Sequence, residues 1–277
     1  MRELIRGALI RTAPSGIKAL QRGKVRFQRQ LGSHVEPELA LLSVLVDPSR
    51  SAVDVGAHKG LYSALIEPIV GSDRLYLFEP VPELHSALKR MYPNAHVSNQ
   101  ALSDGTGEVT LFVPALDDAL RPSRATLEPA TEGPGRAVTV DRTTLDRLVD
   151  QGVLDDVGFV KVDVEGHERH LLEGALAILE RQRAVWVVEI EQRHHEMPVS
   201  DLIRWVCDFG YEAVVANPLE GRCLRFEEFD IAVHQRVARS GTAEYLNNVT
   251  FLPRERAQAD IVRLDAILAS WMGGTAT

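Results

Sequence analysis

Short, uniformly apolar runs alternate along the chain with longer segments of helical apolar period. SAVDVG (51–56), RLYLFEP (74–80) and HVSNQAL (96–102) read as strands. LYSALIEPIV, which runs into Pro68, and PELHSALKRMY read as the helices between them. The rhythm then loosens. EVTLFVP and RAVTV read as strands on either side of a Pro-, Gly- and Arg-rich loop near 114–136, a length that in a compact domain often carries function. It resumes with the strand GFVKVDV (158–164), a helix over HERHLLEGALAILERQ, the strand AVWVVEIE, a helix VSDLIRWVCDFG closed by Gly210, and the strand YEAVVANP. A late strand, NNVTFLP (247–253), and a helix, ADIVRLDAILASWM, complete the pattern, and EPELALLSVLV precedes it as a helix ending at Asp47-Pro48. Fully apolar strands alternating with helices predict a parallel, doubly wound α/β sheet.

Composition narrows the class without changing that picture. At 277 residues, with 45% hydrophobic and 25% charged positions, the chain can bury a full core unaided. Two cysteines, Cys207 and Cys223, suit a reduced, cytoplasmic setting, and no His/Cys cluster has zinc spacing. MRELIRGALIRTAPSG lacks the continuous apolar core of a secretory signal, and no apolar run approaches the ~18 residues of a membrane span. A net charge of -8 argues against a nucleic-acid partner. Residues 1–30 depart from it: eight cations stand against Glu3 alone, a local +7 that leaves -15 for the rest. Leu4, Ile5, Ala8 and Leu9 recur at helical spacing beside Arg2, Arg6 and Arg11. Two readings follow, a basic amphipathic helix in weak contact with an anionic membrane surface and, more plainly, a solvated leader packing on the acidic body.

Five segments carry candidate chemistry. In VDVGAHKGLYS (53–63) a buried strand ends at Asp54-x-Gly56, and Gly60 opens a helix. Gly56 lets a ligand approach the backbone closely, but glycines at 56 and 60 are not the dinucleotide fingerprint. Glu79 stands at the tip of the next strand, where a carboxylate can accept from ribose hydroxyls. Asn99 and Ser103, with Ala101 and Leu102, fall where an adenine ring would lie, although Asp104-Gly105 also reads as a plain turn. In FVKVDVEGHERHLLEGA (159–175), Lys161, Asp163, Glu165, His167 and Glu168 crowd one strand-to-helix junction. Asp163 there can face a substrate or cation, and His167 can deprotonate a hydroxyl or merely cap the helix, as Glu168 does. Glu189 ends the following strand, with Glu191, His194 and His195 just beyond; Asp163 and Glu189 are candidate ligands for a divalent cation such as Mg.

Taken in order, VDVGAHKGLYS, LFEP, NQALSDGTGEVTLF, VKVDVEGHERHLLEGA, WVVEIE and NNVTFLP resemble the FkbM family of S-adenosylmethionine-dependent methyltransferases over roughly residues 50–255. The resemblance implies a class I, Rossmann-like methyltransferase sheet of seven strands, the last of them NNVTFLP and antiparallel. It also implies a methyltransferase domain, taken as 50–277, which the basic helical extension read over 1–49 precedes. It places S-adenosyl-L-methionine on Asp54, Gly56, Ala57, His58 and Gly60, with Asp54 and Gly56 at the methionine end. Glu79 would then meet the ribose, Asn99, Ala101 and Ser103 would flank adenine, and Asp163 would stand beside the transferring methyl. Catalysis falls to Asp163, His167 and Glu165. The implied reaction is O-methylation of a small molecule, secondary metabolite or glycan. N- or C-methylation and a non-catalytic cofactor-binding subunit are the alternatives, and an oligomer is compatible with the pattern. Residues 1–50 and 218–246 fall outside the resemblance and are candidates for setting substrate choice.

Overall fold

The computed structural model describes residues 16, 18–23, 36–116, 119–128, 134–236, 238, 240 and 242–272. In chain order the elements are α1 (Glu38–Leu45), β1 (Ser51–Val55), α2 (Leu61–Val70), β2 (Leu75–Phe78), α3 (Pro82–Met91), β3 (His96–Ser98), β4 (Ala101–Leu102), β5 (Gly107–Leu116), β6 (Ala119–Leu120) and β7 (Gly135–Thr143). They continue with α4 (Leu145–Asp150), β8 (Val157–Val162), α5 (Glu168–Glu173), β9 (Val185–Glu189), α6 (Val199–Asp208), β10 (Tyr211–Asn217), β11 (Arg222–Arg225), α7 (Ile231–His234), β12 (Asn248–Pro253) and α8 (Arg254–Met272).

The central sheet has eight strands in the order β11-β10-β12-β9-β8-β1-β2-β3, one more than the seven expected. β3, β2, β1, β8 and β9 are mutually parallel, and β12 runs antiparallel to both β9 and β10. The added strand is β11, which folds back on β10 through a turn at Gly221. Arg222-Cys223-Leu224-Arg225 is too short and too charged to announce itself, yet those arginines suit an edge strand. Asp265 of α8 accepts from the Cys223 N–H (2.7 Å), so the edge is covered. β1, β8 and β12 are buried at every position, as strands clothed on both faces must be. One core lies on each face, around Val160, Trp186 and Phe251 on one side and Phe159, Val187 and Leu264 on the other.

Three local departures from the sequence pattern have physical causes. Helix α2 continues through Pro68 to Val70. A proline there cannot bond the carbonyl four residues back, and that carbonyl, Ala64 O, is taken by the guanidinium of Arg22 at 3.2 Å. The predicted helix over 167–182 breaks at Gly174, where a Cβ would overlap the Ser103 carbonyl oxygen, and resumes as a wide turn at Ile178–Gln182. The loop near 114–136 is partly sheet: β5, β6 and β7 join β4 in a second, four-stranded sheet in the order β4-β7-β5-β6. A strap through Pro122–Arg124 and Thr126, bridged to Phe112, lies across the top of it.

Most of the basic leader lies outside the described residues, including Arg2, Arg6 and Arg11 and the apolar positions beside them. Of its eight cations only Lys18 and Arg22 are described, and both face the body: Lys18 Nζ reaches Glu67 at 2.7 Å, and Arg22 fills the proline gap. No helix among the described residues is long and apolar enough to cross a membrane.

Candidate active site

The chain leaves β1 toward β2 and β3 on one side and returns through β8 and β9 on the other, so the carboxyl ends of β1 and β8 frame a crevice at the switch point. A partly open cleft lies there. Gly56, His58, Phe78 and Glu79 form its floor; Gln100, Ala101, Leu102 and Leu111 form one wall; Asp163, Val164, Glu165 and His167 close the far end. Pro122, Ala125 and Leu127 of the strap roof it.

Gly56 has φ +71, and its missing Cβ is used by the protein rather than by a ligand: a Cβ would overlap the Asp163 carbonyl oxygen outright. Asp163 N–H meanwhile donates to Val55 O at 3.1 Å. The turn is therefore tight because two parallel strand ends touch, which revises the expected ligand approach. Asp54 is turned away from the cleft. It accepts from the Ser63 backbone N–H (3.1 Å) and from the Ser63 hydroxyl, tying β1 to α2 one layer below. Gly60, expected on the cofactor, instead serves packing: its space is filled by Leu88 and Tyr92, whose hydroxyl donates to Gly60 O at 2.9 Å. Ala57 is buried, with its N–H on Phe78 O.

Glu79 is where the sequence placed it. It is 4% exposed, and its two oxygens accept from the backbone N–H groups of His58 (2.8 Å) and Val81 (2.9 Å). Both bonds hold the carboxylate in one orientation and leave each oxygen a further lone pair. Burial, with Asp163 and Asp54 adding to it, raises its pKa to about 7 against the pull of those two N–H groups. On the wall of the cleft the structure corrects two positions: Asn99 is exposed and Ser103 lies behind, whereas Ala101 and Leu102 do line it, joined by Gln100. Gln100 was missed because the strand appeared continuous from 96 to 102; a break at 99–100 turns it inward.

His167 lines the cleft with both ring nitrogens engaged. Nδ1 stands 2.6 Å from Glu128 Oε1 of the strap and Nε2 2.9 Å from Ser103 Oγ. Burial lowers its pKa, opposed by Glu128. An imidazole held this way ties the strap to the far end of the cleft and has no nitrogen left for a substrate hydroxyl, which counts against the expected base. Thr126 Oγ1 adds a second tie, donating to Glu165 O at 2.9 Å. No sequence signal pairs Glu128 with a residue 39 positions on.

Beside Asp163 lies a narrow acidic recess bordered by Glu165, Glu168, Glu189, Glu191 and His194. Glu165 pairs with His194 (3.1 Å) and Glu168 with His195 (2.8 Å). Glu168 also accepts from the Gly166 N–H at 2.9 Å, ahead of the helix; no side chain among the described residues caps α5, and Glu168 stands in its first turn, where a carboxylate complements the helix dipole. Asn247 bridges Glu189 (2.6 Å) and Glu191 (3.1 Å), and Tyr245, from the segment outside the resemblance, donates to Glu191 (2.6 Å) at the border of the recess. Burial raises the pKa of Asp163 and of Glu189; the Asp163 carboxylate raises that of Glu189 further, while Lys161 opposes the rise at both. The expected cation between them is not supported. Among the described residues the three-ligand groups with converging donor atoms are Glu128–His167–His170 and Asp104–His170–Glu173, and neither contains Asp163 or Glu189.

A family model described as "Methyltransferase FkbM domain" matches residues 54–213, more than half of the chain. Among solved structures, the chain is similar to methyltransferase FkbM from Methylobacillus flagellatus KT, at 16% identity and a TM-score of 0.49, covering 79% of this chain and 48% of that one. This chain thus spans about half the length of that protein. It is also similar to a TehB-like SAM-dependent methyltransferase from Corynebacterium glutamicum ATCC 13032 Kitasato, at 12% identity and a TM-score of 0.38, covering 86% of this chain and 99% of the other. No curated protein matches significantly. With its family model running from the end of β1 into β10, across the cleft and both acidic strand ends, the chain belongs to the FkbM methyltransferase family.

Proposed function

We propose that the chain is an S-adenosylmethionine-dependent methyltransferase acting on a hydroxyl of a small molecule, secondary metabolite or glycan. The observation that carries the reading is the pairing of two carboxylates across one cleft, Glu79 buried and Asp163 half-buried. Glu79 is pinned by two backbone N–H groups at one end, and Asp163 stands at the other. The donor set fits the cofactor. Glu79 has lone pairs for two ribose hydroxyls, the apolar wall of Ala101, Leu102, Leu111 and Leu127 suits an adenine ring, and Asp163 offers a negative charge to a sulfonium. When bound, S-adenosylmethionine supplies an electrophilic methyl group.

The chain's own residues then have three tasks. The strap, held by His167–Glu128 and Thr126–Glu165, excludes water from the cleft. The acidic recess orients the acceptor hydroxyl in line with the methyl, where positioning alone is worth several powers of ten in rate. Asp163 and Glu189, whose proton affinity is raised by burial, accept the hydroxyl proton better than an exposed carboxylate would. The same ring of carboxylates favours, as a second reading, an amine-bearing acceptor and N-methylation. Incubating the protein with cofactor and a panel of hydroxylated metabolites, glycans and amines tests both, read by mass spectrometry as the gain of one CH₂. Transfer to a hydroxyl supports the proposal; transfer confined to amines replaces it with the second reading.

A further inference from the structure

Lys161 is a buried ammonium that cofactor contacts do not explain. It is 1% exposed, and its Nζ donates to Val162 O (2.9 Å) and Asn248 Oδ1 (3.1 Å) and stands 5.2 Å from the centre of the Tyr62 ring. Sheet register places it beneath the reacting groups. Lys161 is the partner of Asp54 in β1 and of Val187 in β9. Because side chains alternate along a strand, Asp163 and Glu189, each two residues further on, lie on that same face one step nearer the crevice. Asn248, which accepts from Lys161, is itself the register partner of Glu189 in β12.

A lone buried lysine is costly unless paired. Here carboxylates meet it from the packed elements: Asp54 on β1, Asp163 just past the end of its own strand, Glu189 on β9 and Glu36 ahead of α1, with the Glu38 carboxyl, which burial keeps largely protonated at neutral pH, beside them. Tyr62 of α2 closes the set, its hydroxyl on Glu36 Oε2 at 2.6 Å. Asp163 is faced in addition by Glu165, Glu168 and Glu79. Those carboxylates outweigh desolvation, so the Lys161 pKa rises despite its burial and the ammonium stays charged at neutral pH.

We propose that Lys161 is a positioning residue for methyl transfer: from one step below the carboxyl ends of the central strands its fixed ammonium sets the proton affinity of the Asp163–Glu189 pair and so keeps negative charge facing the sulfonium and the acceptor. The inference rests on the methyltransferase reading above. It separates Lys161 from a residue that merely fills the core, because a structural lysine would not shift a pH profile.

The test is calorimetric titration of the full chain with S-adenosylmethionine and, separately, with its neutral thioether product S-adenosylhomocysteine, from pH 5.5 to 9. The wild type should lose affinity for the cationic ligand as pH falls, with a midpoint set by the carboxylate pair. In Lys161→Met that midpoint should move up by about 1–3 pH units, the usual effect of removing a nearby opposite charge from a carboxylate. Affinity for the neutral product should change far less with pH in either protein. Lys161→Arg, which keeps the charge, should retain the wild-type midpoint. If Lys161→Met does not fold, Asn248→Ala, which releases the ammonium, should move the midpoint the same way. A midpoint unmoved in the folded variant would overturn the role of Lys161 alone. A wild type that binds neither ligand would overturn the methyltransferase reading beneath it.

Discussion

Three glycines of this chain share nearly one backbone conformation and differ in what surrounds them. Gly56, Gly60 and Gly152 have φ of +71, +72 and +67. Alanine at each would bear the same left-handed strain, about 1 kcal/mol. At Gly152 nothing lies within 4 Å of an added Cβ, so that strain is the whole cost. At Gly60 the Cβ would stand 2.9 Å from a Tyr92 ring carbon and 3.0 Å from Leu88, both side-chain atoms that can yield. Overpacking there adds about 1–3 kcal/mol. At Gly56 the Cβ would overlap the Asp163 carbonyl oxygen and lie 2.9 Å from its carbon. Backbone cannot rotate away, so β8 must shift, and the Asp163 N–H bond to Val55 O is lost. Overpacking and a lost buried hydrogen bond bring the total to about 4–5 kcal/mol. Thermal and urea unfolding of the three variants should therefore rank Gly152→Ala, Gly60→Ala and Gly56→Ala in increasing order of loss. Cofactor affinity should fall most at Gly56, where the same shift displaces Asp163. If Gly56→Ala were no less stable than Gly152→Ala, the strand contact would not be what makes this glycine necessary.

Glu38 is buried with one oxygen lacking a hydrogen-bond partner among the described residues, and burial raises its pKa to about 8. A carboxyl whose folded pKa exceeds its unfolded one favours folding in its protonated form, so that stabilisation is present below about pH 4.5 and lost as pH rises through 8. Glu38→Gln should thus gain on the wild type as pH rises, by about 5 kcal/mol above pH 8, and parallel melting curves from pH 5 to 9 would sink the argument. Removing Glu128 cuts the tie between strap and His167 without touching the sheet. Glu128→Ala should release cofactor about tenfold faster in stopped-flow displacement while its melting temperature stays close to wild type. An unchanged release rate would mean the strap does not hold the cleft closed.

How much of this was legible depended on whether a feature is local. The β1 turn and α2 were readable because an apolar run ends in a glycine pair at fixed spacing, and Glu79 because it is the first polar residue after an apolar strand. Asp54 shows the limit. Its place in the motif suggested a ligand, but strand alternation turns it onto the α2 face, where Ser63 claims it. Helix α5 seemed to continue because Leu171, Leu172 and Ala175 keep the apolar period, while the cause of its break, the Ser103 carbonyl, comes from 71 residues earlier in the chain. β11 and the strap over 122–128 were invisible for a related reason: neither has apolar periodicity, and each is held by partners distant in sequence, Asp265 for one and His167 for the other.

The central claim is that the cleft between Glu79 and Asp163 is a cofactor site, and equilibrium binding of S-adenosylmethionine tests it most directly. The account predicts saturable binding of one ligand per chain, no binding of NAD, and a loss of about 1–3 kcal/mol in Glu79→Ala, the cost of removing a charged hydrogen-bond partner. Equal affinity in the wild type and in a folded Glu79→Ala, or binding of NAD in place of S-adenosylmethionine, would contradict it.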